Sequence, residues 1–268
     1  MHGKWGILDS GFHDASVNMA LDEALLNWHS EGKIPPVLRF YGWKKPSLSL
    51  GHFQKDAEIN YRNLQKHQCQ HVRRLTGGSA VLHDDELTYS IVISEKNPGI
   101  PSSIQEAYYV LSKGIIQGYK NLGIEANYAE DLSRERSAIC FERPAFYEMV
   151  ADGKKLSGNA QTRKRGVLLQ HGSIPLSIDE IMLFDLFVFP NEEVKARKRR
   201  AFAKKAAAIN QLTEQKQTYD TVKKAFYEGF RDGLDLQLEP FTLSESQWNE
   251  VFHLAETNYS TKQPTRSV

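Results

Sequence analysis

Apolar residues recur at the spacing of an α-helix in two long stretches of the chain. In residues 14–28 one helical face carries five apolar side chains, at Val17, Leu21, Ala24, Leu25 and Trp28. Residues 104–122 keep the same period, and Gly123 then occupies the position where a glycine often ends a helix. We predict a helix over each stretch, with its apolar face turned toward the core.

Shorter runs rich in β-branched and aromatic residues predict strands. These regions are residues 37–42, 47–53, 72–94 and 146–175. Within the third region, Tyr89, Ile91 and Ile93 alternate onto one face of the predicted strand. The fourth region is predicted to hold three strands, with Asp152 and Gly153 at one tight hairpin turn.

The remainder of the chain is mostly helical in pattern. Thr242 and Glu245 have capping-box spacing, which predicts that the final helix starts there. Because strands and helices mix without a regular βαβ rhythm, we predict an α+β fold with helices packed on a mixed or antiparallel sheet. We expect a single domain over residues 1–268, with a sheet-rich body at about 1–194 and a helical C-terminal part at about 195–268.

Composition narrows the class of protein without pointing to a partner. Of 268 residues, 40% are hydrophobic and 25% charged, and the net charge of +1 favours neither nucleic acid nor a membrane surface. The longest apolar stretch, residues 181–189, is too short to span a bilayer, and the N-terminus lacks a signal-peptide pattern. The two cysteines, Cys69 and Cys140, do not make a disulfide framework, so we expect a reduced, cytoplasmic protein.

A segment with two arginines and two glycines is the first candidate for chemistry. It runs from Arg73 to Asp84, holds Gly77 and Gly78 side by side, and has His83 near its end. Adjacent glycines let the backbone bend sharply, and their amide groups can then hold a carbonyl or phosphate oxygen. A tight strand turn with solvated arginines explains the same residues, so both interpretations stay open.

Cys140 lies in a polar stretch, residues 129–144, which is predicted to form a long loop. A lone cysteine is more often a buried core residue than a nucleophile, but Arg136 and Arg143 flank this one and favour its thiolate. Cys69 has two histidines nearby, which make only a weak metal site. We therefore expect no metal.

Residues 152–161 carry two lysines followed by small residues. If Lys154 and Lys155 lie in a strand, their side chains point to opposite faces, and only one can face a site. Small residues behind them leave room for a ligand, and the polar residues 170–173 add a notch on the next strand. The candidate contacts are Ser157, Gly158, Asn159, Ala160, His171 and Gly172. Solvated turn lysines and an ordinary hydrogen-bonded histidine are the alternative interpretation.

Residues 195–205 hold seven basic side chains and no acidic one. A solvated helix face is the default interpretation of such a run, and electrostatic docking of an acidic protein is the functional one. Nucleic-acid binding is less attractive, because neither aromatic interleaving nor a known motif accompanies the run.

Together these segments resemble the biotin/lipoate protein ligase superfamily. RRLTGGSAVLHD is similar to its lipoate-binding signature, DGKKLSGNAQ to its lysine motif, and QHGS to its third strand element. The likeness extends through RFYGWKKPSLSLGHFQ and covers most of the chain. It implies a mixed-sheet α+β catalytic domain whose substrate-binding surface includes Arg73, Gly77, Gly78 and His83.

Cys140 selects a branch within this superfamily. Its spacing to DGKKLSG resembles octanoyltransferases that draw on acyl carrier protein, whereas ATP-dependent lipoate ligases use the lysine without a catalytic cysteine. In octanoyl amidotransferases the cysteine is typically followed by Pro-Gly, and Phe141 and Glu142 depart from that pattern. The resemblance implies an octanoyl thioester on Cys140, activation by Lys155 and no cofactor.

The implied partners are octanoyl-acyl carrier protein as donor and a lipoyl-domain protein as acceptor. That acceptor is the glycine-cleavage H protein, a dehydrogenase E2 component, or both; neither nucleic acid nor a membrane is expected. Three alternatives stay open: the octanoyl amidotransferase, an ATP-dependent lipoate-protein ligase, and a non-catalytic carrier-binding or ligand-sensing module. Adenylate formation and indifference to loss of Cys140 distinguish the ligase, and complex formation without acyl transfer distinguishes the module.

Overall fold

The computed structural model describes residues 3–129 and 148–260 of the chain. Over these residues the strands are β1 (Lys4–His13), β2 (Val37–Trp43), β3 (Ser47–Leu50), β4 (Gln70–Arg73), β5 (Val81–His83), β6 (Glu86–Ser94), β7 (Asn127–Tyr128), β8 (Met149–Ala151), β9 (Lys154–Lys155), β10 (Gly158–Lys164), β11 (Val167–Pro175) and β12 (Gln237–Pro240). The α-helices are α1 (Ala15–Ser30), α2 (Tyr61–Lys66), α3 (Ile104–Asn121), α4 (Glu180–Asp185), α5 (Glu192–Lys205), α6 (Tyr219–Gly233) and α7 (Glu245–Asn258).

A six-stranded sheet in the order β10-β11-β6-β2-β1-β12 organises the described part of the chain. From β10 to β2 neighbouring strands pair antiparallel, while β1 pairs parallel with both β2 and β12. Two three-stranded sheets, β4-β3-β5 and β7-β8-β9, accompany it. The predicted α+β fold with a mixed sheet is confirmed.

Helices cover both faces of the large sheet. On one face, Tyr89, Ile91 and Ile93 of β6 are buried in a cluster with residues of α3 and α6. On the other face, Val92 is buried in a second cluster with residues of α1 and α7. Because β6 is covered on both sides, its sequence is apolar beyond the simple alternation expected of a half-exposed strand.

Helices α3 and α6 approach closely because both present glycines where they meet. A Cβ atom on Gly229 of α6 would lie 2.6 Å from the Cα atom of Gly118 in α3 and 2.7 Å from the carbonyl oxygen of Gly114. Side chains do not pack at such distances, so only glycine fits. The contact brings α6 near the sheet, where the rings of Phe230 and Tyr89 lie 5.0 Å apart.

The long helices and the hairpin turns follow the sequence predictions. The helices appear as α1 and α3, and Gly123 has the positive φ of 77° that is typical of a residue just beyond a helix end. Asp152 and Gly153 both have positive φ, which suits the twist of a two-residue hairpin turn. The structure therefore confirms these local signals.

Three local predictions are wrong or incomplete. The last helix begins at Glu245 rather than after Thr242: the Ser244 hydroxyl accepts from the Gln247 amide and the Gln247 side chain accepts from the Ser244 amide. Residues before Ser244 instead extend the sheet edge, since the Phe241 amide donates to the Ile7 carbonyl.

Strands were also undercounted. The described part of residues 146–175 holds four strands, β8 to β11, rather than three. Strands β1 and β12 were not predicted. In β1 the register shifts between Asp9 and Phe12, which breaks the period-2 pattern, and β12 is a four-residue edge strand with little apolar content.

Candidate active site

Residues 75–79, which include Gly77 and Gly78, form a turn that we name the diglycine turn. The buried side chain of Arg74 holds this turn by hydrogen bonds. Its guanidinium donates to the carbonyl oxygens of Gly77 (2.7 Å) and Ser79 (2.8 Å), and also to that of Ser49 in β3 (2.9 Å). Burial lowers the pKa of Arg74 to about 10. Arg74 is thus neither solvated nor open to a ligand.

Arg73 points the other way and ties down the neighbouring loop. Its Nη1 atom donates to the carbonyl oxygens of Gly51 (2.8 Å) and Gln54 (2.7 Å). Gly51 in turn packs against the diglycine turn, because a Cβ atom there would lie 2.9 Å from the carbonyl carbon of Gly78. The exposed Arg73 therefore lies at the rim of the turn, where substrate contact stays a prediction.

The two glycines of the diglycine turn have backbone amides that no described backbone oxygen engages. Gly78 has a φ of 93°, which favours glycine, and a Cβ atom built on Gly77 would meet nothing within 4 Å. With carbonyl oxygens drawn inward by Arg74, the amides of the turn suit a ligand oxygen.

A buried chain of hydrogen bonds connects the diglycine turn to the large sheet and α1. Thr76 Oγ1 lies 2.7 Å from Nε2 of His171, and Nδ1 of His171 lies 3.1 Å from a carboxylate oxygen of Asp22. Arg39 donates to the other carboxylate oxygen of Asp22 over 2.6 Å. Burial opposes ionisation of Asp22, but the Arg39 charge and the His171 hydrogen bond hold its pKa below the usual range.

His83 is enclosed in a similar way. Its Nε2 atom lies 2.7 Å from Ser49 Oγ, its Nδ1 atom lies 2.8 Å from a Glu86 carboxylate oxygen, and its ring stacks on Trp43. Both ring nitrogens of His83 are thus engaged by protein groups, as are those of His171. The two predicted substrate-binding histidines are therefore buried and bonded to protein groups, and their contact with substrate stays a prediction.

The DGKKLSGNAQ and QHGS segments meet in the hairpin β10-β11. Asn159 pairs with Gly172 across the strands, and Ala160 pairs with His171. Asn159 Oδ1 accepts from the Tyr89 hydroxyl over 2.9 Å and so lies where a side chain on Gly172 would be. Gly172 is therefore needed to admit Asn159.

Ser157 and Gly158, two more of the predicted contact residues, lie next to Asn159 in the chain. The side-chain amide of Asn159 donates to Ser157 Oγ over 3.0 Å, so the Ser157 hydroxyl already has a protein partner. A Cβ atom on Gly158 would meet nothing within 4 Å. Together with the hydrogen bond from Thr76 to His171, the hairpin brings all three sequence motifs together. Gly77 and Gly158 are two of the positions in these motifs where a Cβ atom would meet nothing within 4 Å.

Lys155 forms an ion pair with Glu148. The lysine side chain is 39% exposed, so this charge pair lies at the protein surface rather than in the core. Glu148 was not singled out from the sequence; its position just before β8 places it beside the end of β9. The described partner of Lys155 is thus a carboxylate.

The two cysteines differ in what the structure says of them. Cys69 is buried, and burial raises the pKa of its thiol to about 12, which argues against a nucleophilic role. Cys140, Arg136 and Arg143 lie outside the described residues. Among residues 3–129 and 148–260 no group of three or more histidine, cysteine or acidic side chains is arranged to hold a metal ion.

Helix α5 carries the basic run and ends beside Lys155. The Ala207 amide, just beyond the helix, donates to the Lys155 carbonyl over 3.0 Å. Lys195 is paired with Asp185 and Arg199 is half-buried. Five basic side chains of the run are exposed. Three of them, Arg197, Arg200 and Lys204, follow one helical face and are here called the basic stripe.

Several residues near the site were not predicted from the sequence, although the sequence pattern around some of them indicates a buried polar network. Asn18 and Asp22 are buried polar residues four apart in α1, and Arg39 interrupts an apolar strand. Buried charges of this kind are normally paired, so they indicate a network. Nothing in the sequence distinguishes the buried Arg74 from the exposed Arg73.

The fold and these three motifs define a class of protein. The chain belongs to the lipoyl protein ligase A/B catalytic domain family, whose model matches residues 14–231. A bi-partite lipoate protein ligase from Thermoplasma acidophilum has the same fold, with a TM-score of 0.80 and 23% identity over 97% of this chain and 95% of that chain. The predicted superfamily is confirmed.

Relatives within the family are more specific. The chain is 60% identical to octanoyltransferase LipM of Oceanobacillus iheyensis, over 97% of this chain and 96% of that protein. It is 52% identical to octanoyltransferase LipM of Bacillus subtilis, over 96% and 95% of the two chains. Both matches therefore span nearly the whole length of each protein. No described helix is both long and apolar enough to cross a membrane.

Proposed function

We propose that this chain transfers an octanoyl group from octanoyl-acyl carrier protein to a lysine of a lipoyl-dependent protein, through a thioester on Cys140. The observation that carries the proposal is the 60% identity to an octanoyltransferase over almost the full length of both chains. The enzyme is an acyltransferase of lipoate biosynthesis. Its donor, its acceptor and its covalent intermediate are the proposed parts.

The chemistry consists of two acyl transfers. The Cys140 thiolate attacks the thioester carbonyl, and the tetrahedral intermediate expels the carrier thiolate, which takes up a proton. The acceptor ε-amine then attacks the enzyme thioester, loses a proton and expels the Cys140 thiolate. The first step exchanges one thioester for another and the second forms an amide, so neither requires a nucleotide.

Lys155 is the proposed activator of Cys140. An ammonium group beside a thiol favours the thiolate, and a lysine that can lose its proton can also relay protons to the leaving thiol and from the attacking amine. The ion pair with Glu148 supports this role because it fixes the ammonium at the end of β9. Glu148 then competes with the thiolate for the same positive charge.

The diglycine turn is the proposed oxyanion site. The amides of Gly77 and Gly78, which have no backbone acceptor among the described residues, suit the oxygen that becomes negative in the tetrahedral intermediate. Removing one such donor typically costs about 3–4 kcal/mol of transition-state stabilisation. The open space at Gly77 and Gly158 suits an unbranched acyl chain. Ala160 adds a further small side chain to that surface.

The basic stripe is the proposed docking surface for an acidic protein partner. Its three side chains are exposed, and the helix that carries them ends beside the backbone of Lys155. A partner held there by charge would have its reactive group close to the proposed catalytic residues. The glycine-cleavage H protein and dehydrogenase E2 lipoyl domains are the proposed acceptors.

Transfer without nucleotide tests the proposal against its alternatives. Octanoyl-acyl carrier protein, a purified lipoyl domain and the enzyme are mixed, and octanoylation of the lipoyl domain is followed by mass spectrometry. We expect transfer that ATP does not accelerate. A requirement for ATP would favour a ligase, no transfer from any donor would favour a non-catalytic module, and transfer only from an octanoylated lipoyl protein would favour an amidotransferase.

A further inference from the structure

We propose that Thr76, His171 and Asp22 act as a positioning relay, which fixes the diglycine turn so that its amides meet the acyl carbonyl oxygen. The inference rests on the proposed function, since it assumes that this turn binds the acyl group. None of the three residues belongs to the sequence motif of Cys140 and Lys155. They come from three different elements: the turn, β11 and α1.

The donors and acceptors in this chain have fixed directions. The carboxylate of Asp22 can only accept, so Nδ1 of His171 carries the proton that is shared over 3.1 Å. Burial lowers the pKa of His171 although its hydrogen bond to Asp22 opposes the shift, so the ring is neutral near pH 7. Nε2 of His171 is then an acceptor, and the Thr76 hydroxyl donates its one proton to it over 2.7 Å.

Arg74 completes the arrangement from the other side. Its Nε atom donates to Thr76 Oγ1 over 3.1 Å, so the hydroxyl of Thr76 accepts from Arg74 and donates to His171. Arg74 also holds the carbonyl oxygens of Gly77 and Ser79. Thr76 is therefore the junction between the residues that orient the turn and the residues that anchor it to the sheet.

The order carboxylate, imidazole, hydroxyl occurs in nucleophilic triads, but burial excludes that role here. Thr76 is fully buried, with no exposed surface, so a thioester carbonyl cannot reach its oxygen. The arrangement instead restrains a segment that contains two adjacent glycines. Without restraint, such a segment has more backbone freedom than any other pair of residues, and its amides would lose their common direction.

The relay makes a prediction about the acylation step alone. Thr76→Val keeps the shape of the side chain and removes the hydroxyl. We expect it to slow acylation of Cys140 by about tenfold or more while the KM for octanoyl-acyl carrier protein changes by less than about twofold, because an oxyanion donor acts mainly in the transition state. Thr76→Ser retains the hydroxyl and is expected to stay within about threefold of wild type in both parameters.

A second variant, at His171, distinguishes loss of the relay from a general folding defect. His171→Asn can still donate to Asp22 but is too short to accept from Thr76. We expect it to show the same selective loss of the acylation rate, and we expect the double variant with Thr76→Val to be no slower than the slower single variant. Multiplying effects would show that the two residues act independently, which would overturn the relay.

A readout that does not depend on activity separates this inference from the proposed function. Long-range ¹H–¹⁵N spectra of the histidine rings should show His171 as the Nδ1–H tautomer at neutral pH, and its Nε2 resonance should shift in Thr76→Val but not in Thr76→Ser. An Nε2–H tautomer, or an Nε2 resonance unchanged in Thr76→Val, would overturn the relay. Absence of any acyl-enzyme in the wild type would overturn the proposed function while these spectra still decide whether the hydrogen-bond chain exists.

Discussion

The ammonium group of Lys155 is ion-paired with the carboxylate of Glu148, although the sequence motif gives no hint of that carboxylate. The pair is partly exposed, so its contribution to the free energy of unfolding is at most about 1 kcal/mol. Its importance is chemical. If Lys155 stabilises the thiolate of Cys140, then the carboxylate of Glu148 competes with that thiolate for the Lys155 ammonium group.

This competition predicts opposite shifts for two variants. Lys155→Ala should raise the pH midpoint at which iodoacetamide alkylates Cys140, because the thiolate loses a nearby positive charge. Glu148→Gln should lower that midpoint, because Lys155 loses its competing anion. Alkylation rates are measured across pH in a Cys69→Ser background, and an unshifted midpoint in Lys155→Ala would remove Lys155 from thiol activation.

Two matched lysine variants refine the result. Lys155→Arg keeps the positive charge but cannot release a proton. Compared with Lys155→Ala, it should return the alkylation midpoint of Cys140 most of the way to the wild-type value, while transfer to the acceptor stays slow. Lys154→Ala is the control for removing a neighbouring lysine, and it should behave as wild type in both measurements. Equal loss in Lys154→Ala would mean that the pair of lysines acts only through general positive charge.

The basic stripe should affect partner capture and not the chemical step. Charge reversal by Arg197→Glu and Arg200→Glu should raise the KM for the acidic partner with little change in kcat. The effect should shrink in salt, because exposed charges are screened over about 8–10 Å. Initial rates are measured against partner concentration at low and high ionic strength.

The control for the stripe has the same change of net charge elsewhere. Lys33 and Lys96 are both exposed. Lys96 follows the C-terminal end of β6, whereas Gly158 lies near the N-terminal end of that strand. Lys33→Glu with Lys96→Glu should leave the KM near its wild-type value. If both pairs raise it equally, the protein responds to overall charge and the stripe is only a solvated face.

The glycine contact between α3 and α6 predicts a stability defect. Gly229→Ala adds a Cβ atom 2.6 Å from the Cα atom of Gly118, and overpacking of this kind costs about 1–3 kcal/mol. That cost outweighs the helix propensity gained, which is about 1 kcal/mol. Urea unfolding measures it, with the exposed Lys224→Ala of the same helix as control. A more stable Gly229→Ala would show that the helices can separate freely.

How far the sequence predicts this molecule depends on the range of the interactions involved. The helical period of α1 and α3 and the turn at Asp152 are local, and they were predicted correctly. Arg73 and Arg74 are neighbours of identical type, yet one is exposed at the rim and the other is buried. Their roles depend on β3 and on the loop after it, which no local pattern encodes.

The site residues also divide into those that local sequence motifs identify and those whose roles depend on long-range contacts. The motifs around Gly77, Lys155 and His171 were identified, and the structure brings them together. The contacts of His171 with Asp22 and Thr76 join residues that lie far apart in the chain. Their selection from sequence would require knowledge of the strand register.

Burial of His171 gives the folded protein a pH dependence with a definite sign. Burial lowers the pKa of His171 below its usual 6.5, with Asp22 opposing the shift. The unfolded chain then binds a proton that the folded chain does not, so the free energy of unfolding falls as pH drops below 6.5 and levels off below the folded pKa.

Comparison with His171→Asn isolates this contribution. His13 and His71 are shifted in the same direction by burial, but they are present in both proteins and cancel. Urea unfolding at about pH 7.5 and about pH 5.5 should show a larger loss of stability in the wild type than in the variant. The same loss in both proteins would mean that His171 takes up its proton as easily in the folded state.

The mass of the intact enzyme tests the central claim most directly. After mixing with octanoyl-acyl carrier protein in the absence of nucleotide and acceptor, the wild type and Cys69→Ser should each gain one octanoyl group that neutral hydroxylamine removes. Cys140→Ala should gain none and should fail to transfer octanoate to a lipoyl domain. A wild-type enzyme that gains no mass, or a Cys140→Ala variant that transfers octanoate at the wild-type rate, would contradict the account.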